Sequence, residues 1–291
     1  MQPRLVKTGD DRTLAVQSFG NPAGRPVFLL HGTPGSRVGP TPRSTVLYNL
    51  GVHLISFDRP GYGGSDRQRG RRVASAAADV QTIADELGLA TFAVVGRSGG
   101  APHALACGAL LPGRVHRVAA LVPLAPRDAE GLDWYSGMTA SNIRDYRAAE
   151  RGHKRIAATM AQRARRIRDD PATVLAGLRQ ELSGNDAAVV SDAGIRRMLA
   201  RNYREAFRQN ADGWIDDVLA FTTGWGFQVE DITAKTWLWH GAEDMFSPVD
   251  HSRWLASHIP DATLFLEPGV AHFASFRVLT AAVKWAAGAP R

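Results

Sequence analysis

The sequence predicts an α/β protein, a doubly wound and mostly parallel sheet with a helical lid inserted late in the chain. Three observations predict it. Short continuous apolar runs alternate with helical stretches through residues 1–126. The same alternation returns from residue 234. Between them, residues 127–230 carry charges of both signs at helical spacing and show no strand-like pattern.

In chain order, Arg4–Thr8 and Thr13–Phe19 flank Gly9-Asp10-Asp11 and read as an antiparallel hairpin. The runs Val27–Leu30, Val52–Phe57, Phe92–Val95 and Val118–Leu124 are rich in Val, Leu, Ile and Phe. Such runs suit strands covered on both faces, as in a parallel sheet. Helices are expected near 36–50, 72–87 and 100–110, which makes right-handed βαβ units. Residues 127–230, with Arg144, Arg147, Arg151 and Arg155 at helical spacing, read as about four helices forming the lid. Trp134, Tyr135, Trp214, Phe221, Trp225 and Phe227 are expected mainly to pack this lid on the body, some of them facing a ligand. Trp237–Trp239 and Thr263–Leu266 read as strands, Val249–His258 and Phe273–Ala287 as helices. The body is thus residues 1–126 and 231–291.

The chain has 291 residues, 44% apolar and 22% charged, an ordinary globular composition. The single cysteine, Cys107, excludes an internal disulfide and a Cys-based zinc site. No apolar stretch near the N-terminus suits a signal peptide, and none approaches the ~18 residues that span a bilayer. The expectation is a soluble cytoplasmic protein without membrane contact. The net charge of +7 resides in residues 1–126, with 14 basic and 7 acidic residues. Arg67, Arg69, Arg71 and Arg72 account for four of these. With no stacking aromatics or nucleic-acid motif beside them, they read as a solvated loop rather than a nucleic-acid patch.

The strongest chemical signal is Phe92-Ala-Val-Val-Gly96-Arg97-Ser98-Gly99-Gly100. Chance gives about 0.15 Gly-x-Ser-x-Gly matches in such a chain, so the context matters. A buried strand runs directly into the motif and a helix leaves it. That turn strains the serine backbone and projects its hydroxyl above the sheet. A P-loop lysine and the third glycine of a dinucleotide fingerprint are both missing. Ser98 is therefore the candidate nucleophile.

A serine hydroxyl needs a base, and the base an orienting acid. His272 follows the last strand in Gly269-Val-Ala-His272-Phe273, and Asp244 follows the preceding one in His240-Gly-Ala-Glu-Asp244. Loops beyond the carboxyl ends of parallel strands build sites. Asp128, after Leu124-Ala-Pro, competes with Asp244 for the acid role, and Glu243 is a weaker alternative. His31, His103 and His240 sit beside motifs where structural hydrogen bonding is expected. His53, His116, His153, His251 and His258 read as packing or surface residues. No spacing suggests a metal, and no cofactor is expected.

A tetrahedral intermediate needs donors for its oxyanion. The backbone N–H of Gly99 is one. The second is expected from His31-Gly32-Thr33-Pro34-Gly35-Ser36, with the Thr33 N–H as the candidate. Asp58-Arg-Pro-Gly61-Tyr-Gly63-Gly-Ser65 reads as a structured loop whose aspartate holds backbone donors.

Taken together, these motifs resemble the α/β-hydrolase fold family. The resemblance covers the body in order: HGTPGS for the oxyanion loop, DRPGYGGSD for a structural loop, GRSGG for the nucleophile elbow, HGAED for the acid and GVAHF for the histidine. It implies a Ser98–His272–Asp244 triad and a serine hydrolase of a small, partly apolar ester or lactone. HGTPGS is similar to the oxyanion loop of proline iminopeptidases, which usually carry Trp where this chain has Gly99. Epoxide hydrolases and haloalkane dehalogenases of this fold use an aspartate nucleophile where this chain has Ser98. Amide cleavage, C–C bond hydrolysis and perhydrolysis on the same triad stay open, as does a non-hydrolytic ligand-binding protein. The lid resembles nothing that names a substrate, and the oligomeric state is open.

Overall fold

Eight strands form one sheet in the computed structural model, which describes residues 2–171 and 181–288. They are β1 (Arg4–Lys7), β2 (Thr13–Gly20), β3 (Arg25–Leu30), β4 (Val52–Phe57), β5 (Phe92–Arg97), β6 (Val115–Leu121), β7 (Lys235–Gly241) and β8 (Ala262–Glu267). The described helices are α1 (Ser44–Asn49), α2 (Ser75–Glu86), α3 (Gly100–Leu110), α4 (Ala140–Glu150), α5 (His153–Asp169), α6 (Gly184–Ser191), α7 (Ala193–Ala206), α8 (Asp212–Phe221), α9 (Val249–His258) and α10 (Ser275–Ala286).

The spatial order is β1-β2-β4-β3-β5-β6-β7-β8. β1 pairs antiparallel with β2, and β2 with β4. From β4 to β8 every pair is parallel. Side chains alternate across each strand. Phe28, Leu30 and Val94 face one apolar layer with α2 and α3. Val27, Leu29, Ala93 and Val95 face the other, with Leu47 of α1 and Leu279 and Val283 of α10. Two apolar faces explain why the central strands read as unbroken apolar runs. α3 is buried from Gly100 to Ala109, so its small residues let it lie close against the sheet under the Ser98 turn.

Several expected boundaries shift. The helix expected over 36–50 is only α1. Pro40 and Pro42 precede it, and Ser36–Gly39 forms a turn closed by the Gly39 N–H on the Ser36 carbonyl. The strand expected to reach Leu124 stops at Leu121, because Val122 adopts a left-handed φ of 46°. The last helix starts at Ser275, after a short 3-10 turn over His272–Ala274. Between β6 and β7 lie five described α-helices rather than about four, and residues 172–180 of that stretch lie outside the described residues. No described helix is long and apolar enough to cross a membrane.

The arginine cluster is only half solvated: Arg69 and Arg72 are exposed, and Arg67 and Arg71 are not. Arg67 holds Asp216 through two bonds of 2.8 Å and Asp212 at 3.0 Å. Arg71 is buried and pairs with Asp217 at 2.6 Å. Both arginines therefore tie the body to α8. Their acidic partners lie more than a hundred residues away, so the sequence alone showed only unmatched charge.

Candidate active site

Ser98 lies in the turn between β5 and α3 with φ 54°. Its N–H donates to the Leu121 carbonyl at 2.8 Å, and its carbonyl accepts from the Ala101 N–H at 2.8 Å. A side chain at Gly100 would overlap the Leu30 carbonyl, so only glycine lets the helix start this close to β3.

His272 brings its Nε2 to 3.0 Å from the Ser98 hydroxyl and its Nδ1 to 2.7 Å from Asp244 Oδ2. An ionised carboxylate only accepts, so Nδ1 carries the proton and Nε2 is left to accept from Ser98. Asp244 is buried at the end of β7. Its Oδ1 accepts from the Phe246 and Ser247 N–H groups at 2.7 and 3.1 Å. Burial alone would raise its pKa, but the His272 and His240 imidazoles hold it well below the usual carboxylate range. Asp128 is exposed, and Glu243 is exposed and accepts from Asn185. The structure thus brings Ser98, His272 and Asp244 together, and neither alternative acid is bonded to the imidazole.

Thr33 and Gly99 face each other beside Ser98. The Thr33 nitrogen is 3.1 Å from the position a Cβ on Gly99 would take. The Thr33 hydroxyl donates to Asp217 Oδ2 at 2.5 Å. Asp217, fully buried on α8, also accepts from Arg59, Arg71 and the Tyr62 hydroxyl, the last at 2.8 Å. Burial alone would push its carboxyl up; the Arg59 and Arg71 guanidiniums outweigh that and hold it well below the usual carboxylate range. Asp58 fulfils its expected part, accepting from the backbone N–H groups of Arg37 and Gly64 at 2.7 and 2.9 Å.

Like Asp217, two further residues of the site carried no sequence signal beyond their helical setting. Asp186 of α6 accepts from the His272 and Phe273 N–H groups at 3.1 and 2.7 Å, fixing the histidine turn. Asn202 of α7 accepts from the Ser36 N–H at 2.9 Å, fixing the far end of the oxyanion loop. The remaining motif histidines have structural partners. His31 bonds Gly32 and Arg59, His103 bonds Val73 and Asp217, and His240 bonds Ser252 and Ser247.

A cavity of about 500 Å³ opens above Ser98 and His272. Its wall is mixed: Met160, Trp214 and Phe221 supply apolar surface, while Arg163 and Asp145 pair at 2.5 Å on its rim. Of the six aromatics expected to pack the helices on the body, Trp214 and Phe221 reach this cavity. Trp134 and Trp225 are buried in the apolar core.

Comparison with known proteins bears on the family and the fold. The chain is 27% identical over 248 residues to 2-hydroxymuconate semialdehyde hydrolase of Pseudomonas putida, covering 83% of this chain and 78% of the relative. Its structure is similar to that of a hydrolase from Pseudomonas aeruginosa PA01, with a TM-score of 0.72, 18% identity and coverage of 99% and 98% of the two chains. It is also similar to the enol-lactonase from Burkholderia xenovorans LB400, with a TM-score of 0.70, 15% identity and 97% of each chain covered. The alpha/beta hydrolase fold family model matches residues 25–277, from β3 through the Ser98 turn to the His272 turn and the start of α10, and the chain belongs to that family.

Proposed function

We propose that the protein is a serine hydrolase acting on an ester or lactone of a small, partly apolar molecule. The observation that carries this reading is the continuous relay from the Ser98 hydroxyl through His272 to Asp244, with steps of 3.0 and 2.7 Å. His272 takes the Ser98 proton as the oxygen attacks the substrate carbonyl. Asp244 holds the imidazole in the required tautomer and stabilises its cation. The N–H groups of Thr33 and Gly99 receive the oxyanion, in a pocket where fixed dipoles act with little screening. His272 then returns the proton to the leaving oxygen, giving an acyl-enzyme on Ser98. A water deprotonated by His272 attacks the acyl carbon, and Ser98 is regenerated.

The mixed wall and modest volume of the cavity support a small substrate with both apolar and polar parts. The helices between β6 and β7 act as the lid over it, and residues 1–126 and 231–291 as the catalytic body. A fluorophosphonate probe tests the reading. Labelling of Ser98, with p-nitrophenyl ester turnover lost in Ser98→Ala, is expected. Folded protein that stays unlabelled at Ser98 would overturn it.

A further inference from the structure

We propose that Arg97 and Tyr203, on the wall of the cavity above Ser98, form a recognition site for an anionic group, so that the substrate carries a carboxylate apart from the bond that is cleaved. The inference rests on the hydrolase reading for the bond cleaved, but not for the anion bound.

Arg97 is half-buried and differs from the buried arginines around the site. Arg37 faces Asp58, and Arg59 and Arg71 both face Asp217. Arg97 has no carboxylate partner. Its Nε donates to Ser275 Oγ at 2.7 Å, and its two terminal nitrogens have no hydrogen-bond partner among the described residues. The guanidinium lies over the Phe276 ring at 4.1 Å and near Phe273 at 5.7 Å. Ring faces attract a cation but do not satisfy its N–H groups. Burial pushes the guanidinium down to about 10, which leaves it charged at neutral pH. Asp244 and Asp186 offset part of that burial without bonding the guanidinium. A half-buried cation without a bonded counterion is costly, and a charged ligand lowers that cost.

Tyr203 reaches the same cavity from α7. It is only 7% exposed, and its hydroxyl has no hydrogen-bond partner among the described residues. Arg97 and Tyr203 both line the cavity with Gly32 and Thr33. The Arg97 Nη1 lies 3.4 Å from where a Cβ on Gly32 would be, beside the oxyanion loop. An anion held there lies next to the reacting carbonyl without occupying its place.

The rest of the cavity wall is net basic. Arg144 and Arg166 also line the cavity, and Asp145 is already paired with Arg163. The acidic Glu181 of the wall accepts from the Ser141 hydroxyl. A second cavity of about 20 Å³ borders Arg97 on the far side of the loop. It has room for about one water, which would satisfy an N–H but not the charge. A carboxylate satisfies both, through charge-assisted bonds from the guanidinium and one from the phenol.

The test compares mono-4-nitrophenyl glutarate, which keeps a free carboxylate, with 4-nitrophenyl pentanoate. Wild type is expected to favour the anionic ester at least tenfold in kcat/KM. Arg97→Gln should lower that ratio at least tenfold, Arg97→Lys less, and Tyr203→Phe about threefold. Calorimetry of the glutarate monoester on Ser98→Ala protein reads binding without turnover, and Arg97→Gln in that background should weaken it at least tenfold. Equal handling of the two esters by wild type, or an equal loss on both in Arg97→Gln and Arg97→Lys, would overturn the proposal and leave Arg97 as a packing residue. Failure of the fluorophosphonate label would instead remove the hydrolase reading, with the calorimetry still deciding the anion site.

Discussion

The Thr33 hydroxyl and the Asp217 carboxylate are bonded at 2.5 Å across 184 residues of chain. One side belongs to the His31–Ser36 loop, the other to α8 among the helices between β6 and β7. The amide proposed to hold the oxyanion is thus positioned by a carboxylate that never meets the substrate. Thr33→Val keeps the shape and removes the bond. It should lower kcat about tenfold with little change in KM, because misplacing a donor costs mainly in the transition state. An unchanged kcat would show that the loop holds itself.

Asp217→Asn acts on stability as well. Arg59 and Arg71 would lose their shared counterion in a fully buried setting. Breaking such a pair from one side costs about 3–5 kcal/mol. Urea unfolding should show a loss in that range.

Asp244→Asn and Asp128→Asn separate the two sequence candidates for the acid. Asparagine at 244 would lower kcat by about 10⁴-fold, since Nδ1 would lose the acceptor that fixes the tautomer. Asparagine at the exposed 128 should leave turnover within about twofold, as surface changes usually do. Steady-state kinetics on p-nitrophenyl butyrate reads both, and the reverse pattern would reassign the acid.

Gly99→Ala and Gly32→Ala are both small changes beside Ser98. A methyl on Gly99 would overlap the Thr33 side chain and sit 3.1 Å from the Thr33 nitrogen, whereas one on Gly32 meets nothing closer than 3.4 Å. Gly99→Ala should therefore lower kcat by about 10²–10³-fold, the usual loss of one oxyanion donor. Gly32→Ala should be far milder. Comparable losses in both would argue that Thr33 and Gly99 do not flank the oxyanion.

The protein should lose stability in mild acid. His31 Nε2 accepts the Arg59 N–H at 3.1 Å, and His251 Nδ1 accepts the Ala125 N–H at 3.0 Å. A second proton on either ring would meet a donor. Burial pushes both imidazoles below their usual value, His251 to about 4. The unfolded chain takes those protons near pH 6.5 and the folded one resists them. The His251 contribution is therefore full above pH 6.5 and lost as pH falls toward 4, by about 1.4 kcal/mol per pH unit, and the His31 contribution is lost in the same direction. Urea midpoints from pH 8 to 4.5 check this. His251→Gln should flatten the curve, and a flat wild-type curve would contradict it.

What the sequence disclosed was local in the chain. Ser98, Asp244 and His272 each follow a strand end within a few residues, so Gly-rich turns and apolar runs sufficed to find them. Asp186, Asn202 and Asp217 escaped because their partners lie 86, 166 and 184 residues away. On an amphipathic helix such a carboxylate or amide looks the same whether it faces water or an oxyanion loop. Arg67 and Arg71 misled for that reason too: the charges that neutralise them come from α8. The helix expected over 36–50 ran through Pro40 and Pro42, which precede and confine α1 at Ser44–Asn49.

Ser98 holds a backbone conformation, φ 54°, that side chains other than glycine adopt at a cost of about 1–2 kcal/mol. Activity and durability therefore pull apart at one position. Ser98→Gly should melt higher than Ser98→Ala, though both are equally inert as nucleophiles. On the proposed chemistry, drift toward a tougher scaffold at this turn would remove the nucleophile, so the tension there can persist only while that reaction is under selection.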